Sequence, residues 1–195
     1  NLDIDSDATL DVDGDINNLS SAAIGIDGEI TISGDWNNEA TASLALGDGT
    51  SHGTVEFDGT SAQTITGTSQ TNFENLEINN PNNLTLSSVD AQVDEQLTFS
   101  QGLLVTGSQK IIINNTSTSA ISGYDEDKYI HGNLRQYITT GSYDLPVGTA
   151  DCYELANIEI FSATDLDYID VSYTTSDENP VPGGLTVNGI AITDF

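Results

Sequence analysis

Carboxylates dominate the chemistry this chain offers. Asp3, Asp5, Asp7, Asp11, Asp13 and Asp15 take odd positions in the first sixteen residues, while Leu2, Ile4, Leu10, Val12 and Ile16 take even ones. Alternate residues of a strand share a face, so six carboxylates line one outer surface. Neighbours two apart lie about 6.7 Å from each other, and their bare repulsion in water is about 0.6 kcal/mol per pair before salt screens it. If successive coils stack Asp15 on Asp35 at about 4.8 Å, the repulsion grows and a divalent cation would relieve it. Asp11, Asp13, Asp15 and Asp35 are therefore candidate ligands for surface calcium. The alternative is a solvated acidic face. A calcium loop of the EF-hand type fails twice, since it needs Gly at its sixth position and Glu at its twelfth. Counted from Asp3 those positions hold Ala8 and Gly14, and counted from Asp11 they hold Ile16 and Ala22.

Other reactive side chains are few. His52 and His131 have no second His or Cys at ligand spacing, which argues against a transition-metal centre. Cys152 is alone, so no intramolecular disulfide forms, and it sits between Asp151 and Glu154, a neighbourhood that disfavours a thiolate nucleophile. A lyase acting on acidic glycans needs Lys or Arg, and only Lys110, Lys128 and Arg135 exist, two of them placed for local pairing. A glycoside hydrolase needs two carboxylates at a set separation in a cleft, one of them with a raised pKa. Asp35 beside Trp36 and Asp58 beside Phe57 are candidates, but alternation turns them outward among many equals. An ice-binding solenoid would repeat Thr-x-Thr at coil spacing, and Thr64-Ile65-Thr66 is not repeated there. No catalytic residue is assigned, and a non-enzymatic role is expected.

With 31 acidic residues against 3 basic ones the formal charge is −28. Such a field repels nucleic acid, anionic lipid and polyanionic glycans, so neither nucleic acid nor a membrane is an expected partner. No apolar run is long enough to span a bilayer, and Asn1-Leu2-Asp3-Ile4-Asp5 lacks the basic and apolar parts of a signal peptide.

The elements that carry these residues repeat. Leu10-Asp11-Val12-Asp13-Gly14-Asp15-Ile16-Asn17-Asn18 superimposes without gaps on Ile30-Thr31-Ile32-Ser33-Gly34-Asp35-Trp36-Asn37-Asn38, and Val55-Glu56-Phe57-Asp58-Gly59 continues the series. Leu76-x-Ile78, Leu97-x-Phe99 and Ile111-x-Ile113 carry the same apolar-x-apolar core. Spacings of 20 to 25 residues mark a coil wound repeatedly about one axis. The expected inward columns are Leu10/Ile30/Val55/Leu76/Leu97 and Val12/Ile32/Phe57/Ile78/Phe99, since a one-residue slip would turn every one of them outward. Trp36 aligns with Ile16 and is expected in the core. The pairs Asn17-Asn18, Asn37-Asn38, Asn79-Asn80 and Asn114-Asn115 each follow a strand and are expected to stack as amide ladders. A β-sandwich would need tight hairpins, and Asn-Gly occurs once, at Asn188-Gly189.

Apolar runs rich in Val, Ile, Thr and Tyr, with no sustained helical period, indicate an all-β fold. The expectation is a right-handed parallel β-solenoid over residues 1–122, followed by a small antiparallel β unit over residues 123–195. The boundary is placed where Ser117 to Ser122 gives way to Tyr124-Asp125-Glu126-Asp127-Lys128. Beyond it, Tyr129 to Ile138, Tyr153 to Phe161, Leu166 to Thr174 and Leu185 to Ile192 alternate like strands of a cap.

Several segments add a resemblance: Phe57-Asp58-Gly59-Thr60, Gln63-x-Ile65-x-Gly67, Phe73-x-Asn75-Leu76-x-Ile78-Asn79-Asn80, Leu97-Thr98-Phe99-x-x-Gly102-Leu103-Leu104, His131-Gly132-x-Leu134-Arg135 and Tyr143-Asp144-Leu145-Pro146-Val147-Gly148. Together they resemble repeated segments of large secreted surface proteins of Bacteroidota-type bacteria, often exported by type IX secretion. The resemblance implies an extracellular or cell-surface adhesin, surface-layer component or spacer. It also implies a C-terminal sorting domain, and the chain stops after Ile192-Thr193-Asp194-Phe195 without one, as expected of a segment of something longer. The functional expectation is a stiff, acidic structural or adhesive module. Its expected partners are its own kind, end to end from the Leu2 to Ile16 edge to the Leu185 to Ile192 strand, or neighbouring domains of a longer chain, with surface glycans as further candidates. A glycan-binding or glycan-cleaving β-helix is the alternative.

Overall fold

The computed structural model of the chain describes residues 2–19, 24–39, 52–164 and 166–173, with strand segments at 44–45, 185–187 and 190–192. Each early coil carries three short strands. The first has β1 (Leu2–Ile4), β2 (Thr9–Val12) and β3 (Ile16–Asn18), and the second has β4 (Ile24–Ile26), β5 (Glu29–Ile32) and β6 (Trp36–Asn38). Next come β7 (Leu44–Ala45), β8 (Thr54–Phe57) and β9 (Gln63–Gly67), then β10 (Thr71–Asn79) and β11 (Leu84–Leu86), then β12 (Ala91–Gln101) and β13 (Leu104–Val105). They are followed by β14 (Ile111–Ile113), β15 (Ile121–Ser122), β16 (Ile130–His131), β17 (Asn133–Tyr137) and β18 (Gly141–Thr149). The last are β19 (Cys152–Ile160), β20 (Tyr168–Ser172), β21 (Leu185–Val187) and β22 (Ile190–Ile192). Among the described residues no helix is long and apolar enough to cross a membrane.

Pairing between coils is parallel from β1 to β18, and it sorts the strands onto three faces of a β-solenoid. The second face runs β2, β5, β8, the latter half of β10, the latter half of β12, and β15. The third runs β3, β6, β9, β11, β13, β16 and β18. The first holds β1 on β4 and, further along, β7, the opening halves of β10 and β12, then β14 and β17. β10 and β12 serve two faces because each is bulged: register slips between Phe73 and Asn75 opposite Val93 and Gln96, and the strand bends there.

Both expected columns are observed in register. Leu10, Ile30, Val55, Leu76 and Leu97 stack in turn, as do Val12, Ile32, Phe57, Ile78 and Phe99, and from Ile30 onward none is more than 2% exposed. Ile111 and Ile113 belong elsewhere: they pair with Ala91 and Val93 on the first face, and Leu97 is followed by Ile121. Trp36, Phe57 and Phe73, one from each face, meet at the centre, with ring centroids 5.5 Å apart for Trp36 and Phe73 and 6.4 Å for Phe57 and Phe73.

The parallel stacking does not end at 122, where the composition changes. It goes on through β16, β17 and β18 before the direction reverses. β20 then lies antiparallel on β17, and β19 lies antiparallel on β18 over nine residue pairs. These two strands cap the first and third faces. β21 and β22 pair antiparallel with each other, Val187 opposite Ile190.

The asparagine ladder is shorter than its motif. Asn18 Nδ2 donates to Asn38 Oδ1 (3.1 Å) and Asn37 Nδ2 to Asn17 Oδ1 (3.3 Å), but the next rung is Thr66 and Gly67. Gly67 has a φ of +138°, and a Cβ there would collide with the Asn38 carbonyl, so only glycine fits. Asn79-Asn80 and Asn114-Asn115 lie at other corners, after strands of other faces.

Candidate functional site

The four candidate calcium ligands are distributed by the coil, not gathered. Asp11 and Asp13 are exposed on the first coil, and Asp11 Oδ1 accepts from Thr31 Oγ1 (3.2 Å). Asp15 and Asp35 do stack, and each carboxylate is occupied by the coil above it. Asp15 Oδ1 accepts the Asp35 backbone N–H (2.9 Å), and Asp35 Oδ1 accepts the Thr64 N–H (2.7 Å). One oxygen of each of these two carboxylates thus takes a backbone donor from the next coil. Among the described residues no three His, Cys, Asp or Glu side chains form a group that could hold a metal ion.

That pairing is a general device of the solenoid. Asn83 Oδ1 accepts from the Leu103 N–H, and Asp90 Oδ1 from the Lys110 N–H, each twenty residues ahead and at 2.9 Å. Larger polar side chains enter the interior at the corners. Gln63 is 1% exposed and fully employed: its amide donates to the Ile32 and Gly34 carbonyls (2.8 and 2.5 Å), and its Oε1 accepts from Gly59 N–H and Asn80 Nδ2 (2.9 and 2.8 Å). Tyr143 Oη donates to the Thr116 carbonyl (2.7 Å) and accepts from the Thr139 N–H (2.9 Å). A buried polar group left unpaired costs about 1–3 kcal/mol, so these fixed partners specify the stacking.

All three basic residues are engaged in ion pairs. Arg135 grips Asp170 with Nε and Nη2 at 2.6 and 2.7 Å, lies 3.8 Å from the Tyr168 ring centroid, and shares Asp170 with Lys110 Nζ at 3.2 Å. The Arg135 guanidinium, aided by Lys110 against the effect of partial burial, holds Asp170 below the usual carboxylate range. Lys128 pairs with Asp125 at 3.1 Å.

Two arrangements come nearest to reactive chemistry. On the outer second face Glu56 stacks directly on Glu77. Burial pushes Glu56 up, the Asn79 amide at 2.7 Å opposes it, and Glu77, Glu29 and Asp58 add to the rise. Spacing alone does not announce this pair, because outward carboxylates look alike until the register stacks two of them. Neither residue lines either of the two best-formed pockets among the described residues. At the bulged corner His52 Nδ1 lies 3.8 Å from both Glu74 and Glu95, in a shallow depression of about 200 Å3 shared with Asn75, Gln96 and Asn115. Glu74 there accepts the Gly53 N–H (3.1 Å), and Asn115 Nδ2 holds the Glu95 carbonyl (3.0 Å), so both serve the stack.

A third cluster combines aromatic and polar groups near the cap. Tyr124 Oη donates to Asp144 Oδ2 (3.1 Å), Asn157 Nδ2 donates to Asp144 Oδ1 (2.6 Å), and Tyr153 packs on Tyr129 with centroids 5.2 Å apart. Burial and the Asp144 carboxylate raise the Tyr124 phenol to about 12, so it is a hydrogen-bond donor at any physiological pH. Compared with known proteins, the chain matches no family model, no curated protein and no solved structure.

Proposed function

We propose that this chain is a non-enzymatic structural or adhesive module, a stiff acidic spacer or a subunit of a surface fibre, working outside the cell or at its surface. One observation carries the reading. The side chains most suited to chemistry, Asp15, Asp35, Gln63, Glu74, Asp90, Lys110 and Arg135, are tied to neighbouring coils or to the cap. What remains free outside is a solvated acidic surface, which keeps an extended object soluble and unattached to polyanions. The resemblance to Bacteroidota-type surface repeats, and the type IX export it implies, accord with this role.

The alternative, glycan binding, is favoured by one feature: the Tyr124, Asp144, Asn157 and Tyr153 cluster offers an aromatic face beside a carboxylate and an amide. A single assay separates the classes. Incubated with neutral and acidic polysaccharides, the purified chain is expected to release no reducing ends and no unsaturated uronides. Turnover of either kind overturns the non-enzymatic reading. Retention on an immobilised neutral glycan, lost in Tyr153→Ala, would establish the alternative.

A further inference from the structure

We infer that β19 is a self-complementary docking edge through which two copies of this chain join tail to tail. One edge of β19 pairs with β18 along nine residues, and its other edge pairs with no strand among the described residues. Exposed edges are normally kept short or guarded by Lys, Pro or a bulge. β19, Cys152-Tyr153-Glu154-Leu155-Ala156-Asn157-Ile158-Glu159-Ile160, is nine residues long with no Lys, Pro or bulge, and its charges are two glutamates near its ends, Glu154 and Glu159, which leave Leu155 to Ile158 uncharged. Its apolar side chains are also unfinished: Leu155 is 44% exposed, Phe161 just beyond it 81%, and Ala156, Ile158 and Ile160 are only partly buried against the core. On the other capped face, Ile169 and Val171 of β20 are at most 1% exposed.

The occupant follows from the residues themselves. Register with β18 places Ala156, Ile158 and Ile160 on the face of the buried Tyr143 and Leu145, and Leu155, Asn157 and Glu159 on the outer face. Let a two-fold axis perpendicular to the sheet pass through Ile158. Ile158 then meets Ile158 of the second copy, and Ala156 meets Ile160, on the inner side. Outside, Leu155 meets Phe161 and Asn157 meets Glu159, while on the inner side Glu154 meets Ser162. The two exposed apolar side chains cover one another, and no carboxylate faces a carboxylate. An axis at Asn157 sets Leu155 against Glu159, one at Glu159 sets that carboxylate against its own copy, one at Ala156 sets Ile158 against Glu154, and one at Ile160 sets Phe161 against Glu159. A one-residue slip turns inner residues against outer ones. The Ile158 register alone satisfies both faces, and it forms the isologous contact expected of a closed dimer. Such a pair would join two solenoids with their first coils pointing apart. This contact is distinct from the proposed end-to-end fibre, because a two-fold pair closes and cannot propagate.

Each chain carries a charge of −28, so association must work against net repulsion. Raising salt above ~0.15 M, where the screening length is about 8 Å, is therefore expected to tighten the dimer. Sedimentation of the full chain tests this at low and raised salt across a wide concentration range. The expected result is a monomer–dimer equilibrium shifting to dimer with salt, and abolished in Leu155→Glu/Phe161→Glu with an unchanged melting midpoint. In a Cys152→Ser background, Leu155→Cys/Phe161→Cys is expected to form a disulfide-linked dimer, since facing Cα atoms lie about 4.5–5.5 Å apart. Either cysteine alone should give none, because each would sit six residues from its own copy. A monomer at every concentration and salt, a dimer indifferent to the glutamates, or cross-linking by a single cysteine each overturns the proposal. Failure of this edge leaves the non-enzymatic spacer reading intact, since that reading is tested by turnover.

Discussion

The first and last coils of the described stack are built differently. At the first coil, β1, β2 and β3 are three or four residues long, no described strand covers their outer side, and Leu10, Val12 and Ile16 are only partly buried. Six aspartates accompany them. At the other end the chain reverses direction, and β20 seals one face with Ile169, Val171 and a salt-linked Asp170. A parallel stack renews the same edge with every coil, so only a change of direction can terminate it from within. The first coil's strands are short and charged, features that disfavour stray edge pairing.

The largest expected contrast lies in the apolar residues. Ile169→Ala at the sealed end should cost about 2–5 kcal/mol through the cavity it leaves. Leu10→Ala on the open coil should cost about 1 kcal/mol, because half of its transfer free energy was never gained. Urea denaturation of both variants measures this, and equal losses would show the first coil to be covered in solution.

Next comes the clamp. Asp170→Asn removes the shared partner of Arg135 and Lys110 and should cost about 1–2 kcal/mol at neutral pH, between exposed and buried pairs. Because the folded-state pKa of Asp170 is depressed, its contribution is present above the ordinary aspartate value and lost as pH falls through the folded value. The wild type and Asp170→Asn should therefore converge in strong acid when their midpoints are compared. Glu56 works the other way: its raised pKa disfavours the ionised fold, so the wild type should lose stability relative to Glu56→Gln as pH rises through the carboxylate range, read from the same midpoints.

The smallest effects belong to the open end's aspartates. Asp15→Asn keeps an oxygen to accept the Asp35 N–H and should be within a few tenths of a kcal/mol of wild type, while Asp15→Ala should lose about 1 kcal/mol. Millimolar calcium, with ionic strength matched, should leave the melting midpoint where chelator leaves it. A midpoint raised by calcium, and no longer raised in Asp15→Ala, would restore a cation to the account.

The inward columns were legible because apolar-x-apolar at a spacing near twenty admits a single register. The corners were not. Nothing in Phe73-Glu74-Asn75 or Val93-Asp94-Glu95-Gln96 announces that a strand bends onto a new face, and for that reason Ile111-x-Ile113 resembled one column while belonging to another. The burial of Gln63 has no signature in the sequence, because its four partners come from three separate turns. Asp170 meets Lys110 across sixty residues and Arg135 across thirty-five, distances at which sequence spacing has no voice. The stacked aspartates were visible as a pair, and what occupied them was hidden in the backbone of the next coil.

Stacking strands across the axis has a mechanical consequence. A pull along the axis loads the bonds between coils one row at a time, as in peeling tape, and does not shear many rows together. Each row that yields would release about twenty residues, or roughly 65–70 Å of slack at full extension. Held between two attachment points, such a rod gives way gradually at low force and can rewind coil by coil, acting as a shock absorber before any covalent link is strained.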